Sequence, residues 1–144
     1  MTLEKLQQLF PTATAETWHR HANGGGWVQN TARVGPSVVI GTDCIVSGDA
    51  AVSGDARVYG DAWVISPLQI AGTKHFVNVC AEGLVQIGCM AHDIDWWKQH
   101  CRAVGRKEGY SAKQIAEYRN YIELARVWTK IHGLDKPVEK ESAA

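Results

Sequence analysis

The chain has 144 residues, of which 45% are hydrophobic and 21% charged, and its fifteen Lys/Arg balance fifteen Asp/Glu. Such a chain suits one globular domain, and its zero net charge gives it no global field for drawing in nucleic acid or an anionic membrane. No apolar stretch is long enough to span a bilayer.

Charge is weakly polarised: five Lys/Arg against seven Asp/Glu up to residue 91 give −2, and ten against eight beyond it give +2. Leu3, Leu6, Leu9 and Phe10 follow a polar start that includes Glu4, which is unlike a signal peptide. Without such a signal the four cysteines read as reduced thiols, and the expected location is the cytoplasm.

A short amphipathic helix is predicted over 2–10, stopped by Pro11, and a further helical turn over 15–19. Asn23-Gly24-Gly25-Gly26 then breaks regular structure, so residues 1–26 form a helical cap and a Gly-rich entry. From Val28 an aliphatic or aromatic residue returns at every sixth position: Val34, Ile40, Val46, Val52, Val58, Val64, Ile70 and Phe76. A second track keeps the same period in mostly small residues, Ala32, Val38, Cys44, Ala50, Ala56, Ala62 and Leu68. Gly48-Asp49, Gly54-Asp55 and Gly60-Asp61 mark turns through a left-handed backbone, and turn chemistry accounts for the Asp ladder Asp43, Asp49, Asp55 and Asp61 more cheaply than calcium does.

This pattern resembles the hexapeptide repeat of left-handed parallel β-helix proteins. The resemblance implies a mainly β fold with helical caps: a short parallel solenoid of about three coils over 27–76, in which residues eighteen apart stack, Val28 on Val46 and Val64. The whole chain is then one domain. So short a solenoid exposes its ends and calls for caps or partner chains, hence an expected homo-oligomer, a dimer or trimer.

Beyond Phe76 the period fails. β-prone runs at 75–80 and 84–87 predict a closing hairpin within a β-rich segment, 77–90. Asp93 caps a helix carrying Ile94, Trp97, Cys101 and Val104, and Ser111 with Gln114 forms a capping box for a second helix. Ile115, Tyr118, Ile122, Ala125, Trp128 and Ile131 mark the predicted inner side of that second helix, which stops at Gly133. Residues 91–134 thus make a helical hairpin and 135–144 a flexible polar tail.

The segments from Trp18 to Val28, from Ser66 to Thr73 and at Ile87-Gly88-Cys89 resemble small proteins encoded by bacteriophages and prophages, which share this layout from end to end. That resemblance implies an interaction protein acting on host machinery, with inhibition of a defence complex such as a CRISPR system as the expected outcome, and a phage structural component as another reading.

β-Helix relatives include acyltransferases with a histidine general base, and His75 is the residue here best placed for that role. Ser66, His75 and Asp61 can be assembled into a nucleophile set without motif support. Relatives of the γ-type carbonic anhydrases hold zinc with three histidines, a spacing that His19, His21 and His75 match only loosely. Cys80, Cys89, His92, His100 and Cys101 are zinc-ligand types, although Cys80 and Cys101 read more simply as buried small hydrophobes. No cofactor or metal is expected, and an enzyme is the less favoured reading. Arg102, Arg106, Lys107 and Lys113 cluster near the helical turn beside Trp96 and Tyr110. Arg57, Tyr59 and Trp63 occupy outward slots of the repeat, so a protein partner is expected rather than DNA or RNA.

Overall fold

The structure, a computed structural model, describes residues 1–60 and 62–136. The backbone gathers into two compact units, Met1–Pro67 and Leu68–Ala144. No helix among the described residues is long and apolar enough to cross a membrane.

In the first unit, α1 (Leu3–Leu9) starts at Thr2, whose hydroxyl accepts the Lys5 N–H at 3.3 Å, and buries Leu6 against Ala13, Trp18, Trp27 and Ile45. The segment expected to be a helical turn is instead strand β1 (Trp18–Arg20), antiparallel to β2 (Trp27–Gln29). The loop between them presses on Ile40. A Cβ at Gly26 would strike the Ile40 side chain, and one at Gly24, where φ is +95°, would strike its carbonyl.

Six two-residue strands follow: β3 (Arg33–Val34), β4 (Val39–Ile40), β5 (Ile45–Val46), β6 (Ala51–Val52), β7 (Arg57–Val58) and β8 (Ala62–Trp63). Val28 pairs with Val46, Val34 with Val52 and Ile40 with Val58, all parallel. Gly48, Gly54 and Gly60 take the left-handed φ values +66°, +64° and +88° expected of the turns. Thr31 and Ser37 tie successive turns together by donating to the Gly48 and Gly54 carbonyls, both at 2.6 Å.

The short left-handed parallel β-helix of about three coils, and with it the description of the chain as a solenoid, is corrected. Each parallel ladder is two residues long, and the sheet β1-β2-β5-β8 is mixed because β1 runs antiparallel. The eighteen-residue step also fails after β5: Val46 pairs with Trp63 rather than Val64. A one-residue slip exchanges inward for outward side chains. Trp63 is accordingly 5% exposed and Val64 62% exposed. The indole has more apolar surface to remove from water than valine, and its Nε1 finds the Tyr59 carbonyl at 3.1 Å. Ile70 and Phe76, the last members of the track, belong to a different sheet.

That sheet, in the second unit, is wholly antiparallel: β9 (Gln69–Ala71), β10 (Phe76–Ala81), β11 (Leu84–Ile87) and β12 (Met90–His92), each paired with the next. Gly83 (φ +71°) and Gly88 (φ +60°) lie in its two-residue turns. Val77 to Ala81 are buried without alternation, the pattern of a strand covered on both faces. Helix α2 (Ile94–Lys107) begins at Asp93, whose carboxylate accepts the Trp96 N–H at 2.7 Å. Helix α3 (Ala112–Ile131) begins with both bonds of the Ser111/Gln114 capping box in place. The two helices bury Trp97, Cys101 and Gly105 from α2, and Tyr118, Ile122, Ala125 and Thr129 from α3. Ile131, expected inside, is 72% exposed. Of the expected tail, residues 137–144 lie outside the described residues.

The slipped register makes a direct prediction. In urea denaturation Trp63→Ala costs about 3–5 kcal/mol, whereas Val64→Ala stays within about 0.5 kcal/mol; the opposite ranking would restore the unslipped pairing.

Candidate functional site

Two groups of polar side chains in the second unit have the makings of a site. The first surrounds the 72–75 turn between β9 and β10. The Tyr118 hydroxyl accepts the N–H groups of Lys74 and His75 and donates to the His75 carbonyl at 2.6 Å, which uses all of its hydrogen-bonding capacity. Gly72 faces the same hydroxyl so closely that any Cβ there would collide with it. Glu117 accepts from the Thr73 N–H at 2.9 Å and from its hydroxyl at 2.5 Å, and these bonds hold its carboxyl below the usual range.

His75, the candidate general base, is half-buried, with its Nδ1 bonded to the Tyr110 hydroxyl. Burial first, and then the neighbouring Tyr118, push the Tyr110 phenol well above its ordinary value, so it keeps its proton. The imidazole borders a cavity of about 50 Å³ that Gly88, Cys89, Met90 and Trp97 also line. That space has room for a few waters and is far smaller than the roughly 300–1,000 Å³ of an ordinary small-molecule site. The other members of the paper triad are not assembled with it: Ser66 Oγ accepts the Ala51 N–H at 2.8 Å, and Asp61 lies outside the described residues. His19 Nδ1 bonds to Asn30 at 2.7 Å, and buried His21 bonds to the Val38 carbonyl at 2.6 Å; both serve their own unit.

The zinc-ligand types are dispersed. Cys80 is buried on β10, Cys101 is buried on α2, and Cys89 is exposed in the turn before β12. His92 and His100 stack on opposite neighbours of one ring, with centroids 3.4 Å and 4.2 Å from Trp96. Among the described residues no three His, Cys, Asp or Glu come together as a metal site. Burial pushes the Cys80 thiol up to about 11, and burial, partly opposed by Arg119, also raises Cys101.

The second group is a groove along the helical hairpin. A cavity of about 520 Å³ is lined by Lys98 and Cys101 from α2 and by Ala116, Arg119, Asn120, Ile122 and Glu123 from α3. A neighbouring one of about 230 Å³ shares Ala116 and Arg119 and adds Arg102, Arg106, Ala112 and Ile115. The sides therefore carry four cations, Lys98, Arg102, Arg106 and Arg119, around a floor of small and apolar side chains. Among the described residues none of the four is within ion-pair distance of a carboxylate; Glu123, the one acid at the groove, is paired with Arg126. Lys98, Arg102 and Arg106 are spaced i, i+4, i+8, so they repel one another along one face by about 0.2–0.5 kcal/mol per adjacent pair.

Of the interaction residues read from the sequence, the groove gathers Arg102 and Arg106, while Lys107 ends α2 outside its lining. Trp96 is held between the two histidines. In the first unit Arg57 is exposed and Tyr59 is 39% exposed, but Trp63 is buried, so the expected outward strip loses its largest member. Lys98 and Arg119 were missed. The i, i+4 spacing could have added Lys98, whereas Arg119 joins only when α3 folds back on α2.

No family model, curated protein or solved structure matches the chain.

Two outcomes follow from this geometry. Tyr118→Phe deprives three main-chain groups of their partner and lowers stability by about 1–3 kcal/mol in chemical denaturation; an unchanged midpoint would remove the hydroxyl from its assigned place. For thiol titration at pH 8, Cys89 reacts in the native state and the other three only after unfolding. Because folding raises the Cys80 pKa from 9.0 to about 11, its contribution is present below pH 9 and is lost as pH rises toward 11. Replacing Cys80 by alanine flattens that alkaline decline.

Proposed function

We propose that this protein is a non-enzymatic binding module of the cytoplasm whose α2–α3 groove receives an acidic segment of a partner protein. The observation that carries this reading is the set of four cations that, among the described residues, have no carboxylate within ion-pair distance, set around an apolar floor. Attraction of Arg106 and Lys107 to the C-terminal end of the α2 dipole accounts for those two residues. It does not account for Lys98, Arg102 or Arg119, which lie away from helix ends. Their mutual repulsion destabilises the free protein and is relieved when carboxylates enter the groove.

A protein partner suits the surface better than nucleic acid. The floor offers apolar contacts that a phosphate backbone cannot use and that apolar side chains of a peptide can. The resemblance to phage-encoded proteins directs the search to the acidic surfaces of bacterial defence complexes, CRISPR effectors among them, which the module would block by occupancy.

The test separates binding from folding. Arg102→Glu replaces two repulsive i, i+4 pairs by two attractive ones and raises stability by about 0.5–1.5 kcal/mol. The same substitution, alone or with Arg119→Glu, abolishes protection of phage in bacteria whose CRISPR interference the parent protein suppresses. Full interference in the presence of the parent protein would end the inhibitor reading. Suppression that survives both charge reversals would move the binding surface elsewhere.

A further inference from the structure

Helix α3 carries a second apolar face. Tyr118, Ile122, Ala125 and Thr129 are buried, yet Leu124, Val127 and Ile131 are 48%, 41% and 72% exposed. These three repeat at i, i+3 and i+7, the spacing of a helix–helix seam, and half-buried Tyr121 and Trp128 flank them on one side. Lys130 and Glu123, the latter also bonded to Arg126 of its own helix, flank them on the other.

We propose that this face pairs with its own copy, two α3 helices crossing antiparallel about a twofold axis to form a homodimer. The flanking residues select this occupant. When Leu124 of one copy packs on Val127 of the other, and Val127 on Leu124, the same twofold places Glu123 opposite the second copy's Lys130 on one side. Tyr121 then faces the second copy's Trp128 on the other. One registration thus satisfies the apolar seam, opposite charges and an aromatic pair, and it does so twice. A parallel pairing would exchange the flanks, setting Glu123 and Lys130 of each copy against the aromatic Tyr121 and Trp128 side of the other. Residues 137–144, which follow α3 closely, contain one large aliphatic side chain, Val138, and so match this three-residue seam poorly. Glu123 borders both this face and the groove, while the groove cations Lys98, Arg102, Arg106 and Arg119 take no part in the seam, so the dimer stands whatever the groove binds.

Sedimentation velocity of the full chain over micromolar to high-micromolar concentrations tests the inference. The parent protein shows a monomer–dimer equilibrium, and Leu124→Glu, which replaces an exposed side chain and keeps the helical circular dichroism, runs as a monomer. Glu123→Lys and Lys130→Glu each weaken association about tenfold, and the double exchange restores it, because the antiparallel register again opposes unlike charges. A parent protein that stays monomeric throughout overturns the proposal. So does a dimer that is indifferent to Leu124→Glu, or a double exchange that fails to rescue.

Discussion

The second unit depends on one phenol. The Tyr118 hydroxyl sits in the turn between β9 and β10, where it supplies the partners that two N–H groups and a carbonyl of a tight turn cannot find within the sheet. Unmet main-chain groups in a half-buried position are costly, so this contact sets where α3 lies on the sheet. Gly72 is bound to the same requirement, since any side chain there would displace the hydroxyl. With α3 fixed, α2 follows. Gly105 lets Ile115 approach α2 at the point where the hairpin turns, and the Trp97 indole is anchored on the Val85 carbonyl at 2.8 Å. The His75–Tyr110 pair, which in sequence looks like a catalytic base and its neighbour, belongs to this same fastening.

The groove is the by-product of that docking and also its electrostatic opposite. Polar groups around the 72–75 turn are mutually satisfied, whereas the hairpin edge gathers four cations against one carboxylate, Glu123, which is bonded to Arg126 and acts on Lys98 only at longer range. The arrangement cannot be explained as stabilisation of the fold, because removing one charge at Arg102 relieves two repulsions. The acidic segment proposed for the groove would supply the missing opposite charge, and the apolar floor would add area removed from water.

Local signals were legible in the sequence wherever one short segment determines the outcome. Asp93, Ser111 and Gln114 announce the helix starts because a cap is satisfied within four residues, and the Gly-Asp dipeptides announce turns for the same reason. The six-residue tracks correctly place Val28, Ile40, Val46, Val52 and Val58 inside. They fail at Val64 because register is a competition between two chain segments, decided here by the bulk of Trp63, and periodicity along one strand contains no record of its partner. Beyond that slip the continuation to Ile70 and Phe76 is a coincidence of spacing in strands that pair antiparallel. The groove was half legible. Arg102 and Arg106 share a helix, so their clustering is local; Arg119 reaches them only through tertiary packing.

Helix α3 shows why an apolar count along a helix cannot be converted directly into a core. Tyr118, Ile122 and Ala125 read as one face and are buried, but continuing through Trp128 to Ile131 drifts around the cylinder, since each successive three-residue interval falls about 60° short of a full turn of 3.6 residues. Thr129 takes the inner place and Ile131 emerges with Leu124 and Val127 on a face of their own. A helix that is apolar on two sides has either two partners or a cost in exposed surface. One partner is the sheet and α2. The charge and ring positions beside the second face are self-complementary only in the antiparallel sense, and that is the ground for proposing another copy of this helix as its partner.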